Sequence, residues 1–361
     1  MSEQRSRRSF VASAGAVGLA GLAGCTTASG GVGPGSDTSS NASSDANGTG
    51  GTASTGTTGT AGSVEIFHAG SLTAAFDDLK TGFTRAHDVS VTEESAGSIR
   101  STKKITQPPH RSADVLAVAD FRLLRDDLLP AYGSWYAIFA TNAMTVAYTD
   151  QSAHADAFTR DNWWNVLARD DVSVAHSDPA VDPNGYRAIM SMDLGAISFD
   201  GGALYDDATA TAMKRNAHVP ASDEVDLLGQ LKSGKVDYAW EYRSTGATHD
   251  VKTLDLQPSV DLSKATATYA DHYAKATVTA GGTTYTGAPI AYGVTVPNTA
   301  KHPQCGATWI AYMLGDGAKT LQSDGFGALS SAVVPTSDAA AVPDAVMAHA
   351  TAETSLGPLS L

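Results

Sequence analysis

The sequence predicts an α/β fold of two lobes with largely parallel sheets, and three observations carry that prediction. Short apolar runs alternate with helix-like segments from residue 63 onward. Strands are expected at Val64 to Phe67, Val89 to Thr92, Asp114 to Ala119, Thr145 to Tyr148, Val172 to His176, Val236 to Trp240 and Ile290 to Val296. This region is roughly 300 residues long, more than one hydrophobic core usually serves. The runs Asn142 to Thr149 and Gly287 to Pro297 have similar patterns and fall where a two-lobed chain crosses between its halves. They are expected to form paired hinge strands, with residues 63–148 and 288–361 in one lobe and 149–287 in the other.

The chain opens with a targeting pattern. Ser6-Arg7-Arg8-Ser9-Phe10-Val11 is a twin-arginine signature followed by a small-residue apolar run through Leu22, which predicts export in the folded state. The run is about half as long as a bilayer span requires. It closes with Leu22-Ala23-Gly24-Cys25, which resembles a lipobox. Residues 1–25 are therefore expected to be a lipoprotein signal, with Cys25 lipidated and the protein held at the outer face of the cell membrane. Residues 26–62 are almost wholly Gly, Ser, Thr, Ala and Asn with no apolar period, the composition of a disordered tether. Asn41 and Asn47 open glycosylation sequons within it.

Charge and cysteine content exclude several classes. The formal charge of −14 becomes −16 without residues 1–24, because that segment carries Arg5, Arg7 and Arg8 against Glu3. Nucleic acid is excluded as a partner, since binding it needs a basic stripe. An acidic surface rich in Asp and poor in Lys is that of a salt-adapted, halophilic protein. It also requires any anion site to be a local, donor-rich pocket. Apart from Cys25 the sole cysteine is Cys305, so no internal disulfide is available once Cys25 is lipidated. Cys305 lies in an apolar helical pattern and reads as a small buried hydrophobe.

The stretch Glu65-Ile66-Phe67-His68-Ala69-Gly70-Ser71-Leu72 runs from a strand into a helix whose stripe is Leu72, Phe76, Leu79 and Phe83. Ser71 is expected at the N-cap, where a hydroxyl and unsatisfied N–H groups suit an oxyanion. A plain cap is the competing reading. The turn recurs as Ala96-Gly97-Ser98 after the strand near Val91, opening a helix from Ile99 to Thr106. Ser71 and Ser98 would converge if both strands end at the ligand crevice of one sheet. Asp120 ends the strand from Asp114, and helix capping is favoured there over lining the cleft. In the second lobe, Ser177-Asp178-Pro179-Ala180-Val181-Asp182-Pro183-Asn184-Gly185-Tyr186-Arg187 is a punctuated loop leading to the helix of Met190, Leu194 and Ile197. Glu241 ends an apolar strand beside Tyr242 and Arg243, where a carboxylate needs a partner.

These motifs, together with Asp114-Val115-Leu116-Ala117, Glu241-Tyr242-Arg243-Ser244 and Gly287 through Thr295, resemble the archaeal type of tungstate/molybdate-binding protein of ABC importers, in register from about Val64 to Pro335. The resemblance implies the two-lobed type II periplasmic-binding-protein fold, its ligand cleft between lobes joined by two crossing strands and closed by hinge motion. It implies that Ser71 and Ser98 donate to the oxyanion, that Tyr186 belongs to the ligand-binding set, and that Asp182 and Glu241 each place a carboxylate oxygen on the metal of the bound anion. Hard oxygen ligands suit a high-valent centre that can expand its shell, whereas they repel sulfate or phosphate. The implied partners are tungstate or molybdate and the permease subunits of an ABC transporter; no cofactor and a monomer are expected. Asn184 stands where the family commonly has Cys.

Alternatives remain at single residues and for the whole chain. Asp178 competes with Asp182 for the ligand role, Arg187 and Arg243 either donate to the ligand or pair with cleft acids, and His68 is read as turned from the pocket or stacked locally. A binding protein of the same fold for sulfate, phosphate or a small organic acid is the principal rival. A serine hydrolase is remote, since no Gly-x-Ser-x-Gly elbow exists. Zinc lacks paired His or Cys ligands, and Gly325-Phe326-Gly327 is no full dinucleotide fingerprint.

Overall fold

The computed structural model describes residues 62–219 and 226–361, which lie within a compact unit, Gly51–Leu361. The expected signal segment, Cys25, both sequons and the tether through residue 61 lie outside the described residues. Ahead of a short C-terminal hairpin (Ser355–Leu356 with Leu359–Ser360), the strands in chain order are β1 (Gly62–Ala69), β2 (Val89–Ala96), β3 (Val115–Val118), β4 (Ala137–Thr141), β5 (Met144–Tyr148), β6 (Val174–Ala175), β7 (Ala217–His218), β8 (Tyr238–Tyr242), β9 (Lys252–Asp255), β10 (Thr277–Ala280), β11 (Thr283–Thr286), β12 (Ala291–Thr295), β13 (Gly327–Pro335) and β14 (Ala350–Glu353). Twelve of them build a seven-stranded sheet, β14-β13-β4-β12-β3-β1-β2, and a five-stranded sheet, β7-β6-β8-β5-β9, while β10 and β11 pair with each other alone. Each sheet is the centre of one lobe.

Both sheets are mixed, not largely parallel. In the larger, β1 runs parallel to β2 and β3, whereas β12 runs antiparallel to β3 and β4. In the smaller, β6 runs parallel to β7 and β8, whereas β5 runs antiparallel to β8 and β9. Alternation with helices makes the parallel halves legible. Strands that enter a lobe from the other lobe need no crossover helix and come in antiparallel.

The hinge differs from expectation for the same reason. β5 belongs to the smaller sheet and β12 to the larger, so the two runs are not paired hinge strands. The first crossing is the Asn142-Ala143 step between β4 and β5, several residues before the expected boundary at 148. The return lies at residues 287–290. One segment braces both: the Asp261 carbonyl accepts the Met144 N–H at 2.7 Å, and the Leu262 carbonyl accepts the Ile290 N–H at 2.9 Å.

Apolar periodicity places the helices that support the site. Helix α1 (Thr73–His87) buries Phe76, Leu79 and Phe83. Phe76 and Phe83 meet the Trp309 ring edge-on at 5.8 and 4.9 Å. Trp309 lies on the helix Pro303–Leu314, where Cys305 is buried as expected. Helix α2 (Ser98–Thr106) follows β2, and the smaller sheet carries α3 (Trp163–Leu167) and α4 (Pro183–Leu194). The hairpin β10–β11 turns on Gly281 and Gly282 at φ 58° and 85°, left-handed conformations that glycine adopts without strain.

Candidate functional site

Adjacent parallel strands deliver the two serine turns. The register pairs His68 with Ser95 and Ala69 with Ala96. Both Ala-Gly-Ser turns therefore begin level with each other at strand carboxyl ends, where α/β sheets bind ligands. Ser71 does not cap α1, contrary to expectation. A 3-10 turn, Gly70–Leu72, moves the helix start past the serine, and Leu72 takes the cap position with no side-chain bond. The Ser71 Oγ lies 2.9 Å from the Tyr292 hydroxyl instead. Ser98 is the first residue of α2, and its buried Oγ accepts the Ala119 N–H at 3.0 Å.

The smaller sheet presents two acids in the same manner, on the segments after β6 and at the end of its parallel neighbour β8. Asp182 caps α4, with Oδ1 accepting the Asn184 N–H at 3.1 Å and Pro183 in the first turn. Glu241 is buried in β8, where its Oε2 accepts the Thr245 hydroxyl at 3.1 Å. Asn184 links the two segments, because its Nδ2 donates to the Trp240 carbonyl at 2.9 Å. Asp178, the alternative to Asp182, makes a similar local bond, its Oδ1 accepting the Ala180 N–H at 2.9 Å.

The turn of Ser98 and the turn of Asp182 meet where the lobes come together. The Arg100 N–H of α2 donates to the Val181 carbonyl at 3.2 Å. A Cβ at Gly97 would lie 2.4 Å from that carbonyl oxygen and 3.0 Å from the Asp182 Cβ. Gly97 is thus required where the first lobe meets the Asp182 turn. Gly97→Ala is expected to weaken ligand binding by more than about tenfold, since the lobes must separate to admit a methyl against backbone. Small-angle scattering with ligand present should show an expanded protein whose helical circular dichroism is unchanged; an affinity like wild type would contradict the tight approach.

Asp120 exceeds the capping role expected for it. Its Oδ1 accepts the Arg122 N–H at 3.1 Å, as a cap would, but its Oδ2 also accepts the Tyr186 hydroxyl at 2.6 Å. Arg122 pairs with the same carboxylate at 2.6 Å and Arg187 at 3.3 Å. Burial raises the carboxyl pKa, and the guanidinium groups of Arg122 and Arg187 with the hydrogen bonds from Arg122 and Tyr186 outweigh it, holding the group below the usual carboxylate range. Arg187 further donates to the Ala119 carbonyl at 2.9 Å and to the Tyr242 hydroxyl at 2.8 Å. Arg122 reaches the Thr286 carbonyl of the second lobe at 2.8 Å. These contacts form a buried clamp between lobes.

Tyr186 takes part in that clamp, which adjoins Ser98 through Ala119. Its hydroxyl is engaged by Asp120 and its ring stacks on Tyr285 at 4.3 Å. Arg187 follows the ion-pairing alternative. Arg243 is exposed; burial raises the Asp261 carboxyl pKa, and the nearby Arg243 charge opposes that rise without overcoming it. His68 stacks on Phe76 at 5.0 Å, and its Nδ1 lies 2.9 Å from the Ala69 carbonyl, the local role expected for it. Burial lowers its pKa to about 4, against that backbone hydrogen bond, which raises it. A folded value below the unfolded one means that stability from neutral His68 is complete above about 6.5 and lost as pH falls through about 4. NMR titration should find its ring still neutral at about pH 5; protonation with an ordinary midpoint would contradict the packing.

Sequence reasoning missed Tyr292 and Asn142, although both lie in the crossing runs. Asn142 Nδ2 donates to the Tyr292 hydroxyl at 3.3 Å and to the Ser244 Oγ at 3.0 Å. A polar side chain at each crossing was the signal available.

The described geometry defines a two-lobed solute-binding protein whose cleft is lined from the carboxyl ends of both sheets. The chain belongs to the bacterial extracellular solute-binding protein family, whose sequence model matches residues 64–327. A solute-binding protein of Methanoculleus marisnigri without assigned ligand is 36% identical over 309 residues, covering 78% of this chain and 85% of its own. The molybdate/tungstate-binding protein WtpA of Pyrococcus abyssi is 31% identical over 283 residues, covering 71% of this chain and 81% of its own. Among solved structures, the sulfate-binding protein SubI of Mycobacterium tuberculosis H37Rv superposes with a TM-score of 0.52 at 13% identity, covering 79% of this chain and 92% of that one. That likeness establishes the two-lobed fold.

Proposed function

We propose that this protein captures tungstate or molybdate outside the cytoplasm and delivers it to an ABC-type permease, by binding and release without covalent chemistry. The observation that carries the reading is a pair of serine turns, level at adjacent strand ends, the second of which packs against the Asp182 turn, with Asn184 joining buried Asp182 to the strand of buried Glu241. Ser71 and Ser98 supply hydroxyl donors. Asp182 and Glu241 supply hard oxygen ligands to a molybdenum or tungsten centre that accepts additional oxygens. Sulfur and phosphorus in their oxyanions have no such capacity, so the carboxylates oppose sulfate and phosphate by charge alone. Similarity to the Pyrococcus abyssi protein over most of both chains supports the same ligand class.

The wider setting completes the proposal. The twin-arginine pattern and the segment ending at Cys25 support export in the folded state and lipid anchoring, with residues 26–62 as tether and the acidic surface suited to high salt. The two lobes, closed on the ligand, present the surface that a monomeric receptor docks on its permease. An X-ray absorption spectrum at the molybdenum edge tests the ligand set. Octahedral oxygen coordination is expected for molybdate on the wild-type protein, and a tetrahedral spectrum would contradict carboxylate ligation.

A further inference from the structure

Asn184 stands between the two acids of the smaller lobe. It is buried and follows Asp182 by two residues, in the first turn of α4. Its backbone N–H donates to Asp182 Oδ1 at 3.1 Å, and its side-chain Nδ2 donates to the Trp240 carbonyl at 2.9 Å. That carbonyl belongs to the peptide bond leading into Glu241. One residue and two hydrogen bonds therefore connect the Asp182 carboxylate to the backbone of Glu241. The partners fix the orientation of the Asn184 amide, because a carbonyl only accepts and must face the NH2 end. Oδ1 is thereby turned to Ser177, whose backbone N and Oγ lie at 3.5 and 3.4 Å. The β6–β8 pairing ends at Ala175 and Ala239, so Asn184 supplies the next contact to β8 after β6 has turned away. A Cβ at Gly185 would lie 2.2 Å from the Ser177 carbonyl oxygen and 2.6 Å from the Pro179 nitrogen, so the start of α4 is seated directly on loop backbone.

We propose that Asn184 is a positioning residue that sets the spacing of the Asp182 and Glu241 carboxylates, so that both reach one metal centre. The inference rests on the reading of the cleft as a tungstate or molybdate site and deepens it. A centre that expands from four oxygens to six needs two further oxygens at fixed places, and groups behind the ligands hold them there. A tetrahedral anion held by hydrogen bonds alone makes no such demand. Asp182 is held through its bond from the Asn184 N–H, and Glu241 through its strand and the Thr245 hydroxyl. The Asn184 side chain joins the two supports, because its bond to Trp240 ties the Asp182 turn to β8.

X-ray absorption at the molybdenum edge, with titration calorimetry on the same full-length protein, tests this with molybdate as the probe. Asn184→Ala is expected to weaken molybdate by about tenfold to a hundredfold. The spectrum of the bound ion should turn from octahedral toward tetrahedral as a carboxylate leaves the metal. The spectrum decides the matter, because a residue that serves the fold alone lowers the melting temperature without changing the coordination of bound molybdate. An octahedral spectrum in the variant, at whatever affinity, overturns the proposal. Asn184→Gln serves if Asn184→Ala does not fold or binds no molybdate. Its amide sits on a stem one methylene longer, so it meets the Trp240 carbonyl only by displacing the Asp182 turn, and the same change of spectrum is expected; an octahedral spectrum again overturns the proposal. The wild-type spectrum separates this inference from the reading beneath it. A tetrahedral ion on wild-type protein, or no molybdate bound, refutes carboxylate ligation and the inference falls with it. Octahedral wild type with an octahedral variant refutes the role of Asn184 alone.

Discussion

Glu241→Gln is expected to weaken tungstate binding roughly hundredfold and to leave the fold intact. The magnitude is what removal of one charged oxygen ligand implies, about 3 kcal/mol. Fold retention follows from geometry. Glutamine is isosteric, its carbonyl oxygen can still accept the Thr245 hydroxyl, and the flanking Trp240 carbonyl keeps its bond from Asn184. Asp182→Asn is the matched case, because asparagine is an equally good N-cap and keeps the bond from the Asn184 N–H. Both variants should melt close to wild type while losing affinity. Unchanged affinity in either would remove that residue from the ligand set, and a lowered melting temperature in both would assign the acids to the fold.

Asp120→Asn is expected to act without touching ligand. It leaves Arg122 and Arg187 close together with no anion between them, and Arg187 is buried in the closed cleft. Removing one partner of a buried pair costs about 3 kcal/mol, here charged to the closed state and read as a loss on the order of a hundredfold in affinity. The pH dependence follows from the same pair. In the closed protein Asp120 titrates below its ordinary range. Closure is therefore favoured where the carboxylate is ionised, above about pH 4, and this contribution is lost as pH falls through the lower value of the closed protein. Tungstate titrations across acidic pH should show a falling limb in wild type that is shallower in Asp120→Asn. Equal limbs would place the clamp outside the closing equilibrium.

Much of the candidate site's local structure is legible in the sequence because it is built from local signals. The Ala-Gly-Ser turns, the Asp182-Pro183 cap and the acid in the apolar run at Glu241 are each recognisable within a few residues, and the stripe through Phe76, Leu79 and Phe83 places the first helix on its sheet. Strand direction is not local. Whether β12 runs with or against β3 depends on the chain returning from the other lobe, which periodicity does not encode. The same limit hid the work of Asp120. Its cap-like bond to Arg122 is two residues away, whereas Tyr186 and Arg187 arrive from 66 residues or more along the chain. Ser71 failed as an N-cap for a subtler reason, because a 3-10 turn and an α-helix share the same apolar start and only the backbone separates them.

The two-lobed fold alone does not decide the anion, as the likeness to a sulfate-binding protein illustrates. On the proposed reading, selectivity lies in the serines and carboxylates of the cleft. The measurement that tests this most directly is calorimetric titration of the wild-type protein in high salt with tungstate, molybdate, sulfate and phosphate in turn. Tight binding of tungstate and molybdate with little or none of the other two is the predicted result. Sulfate or phosphate bound as tightly as tungstate would contradict it, since Asp182 and Glu241 could not then lie at the anion.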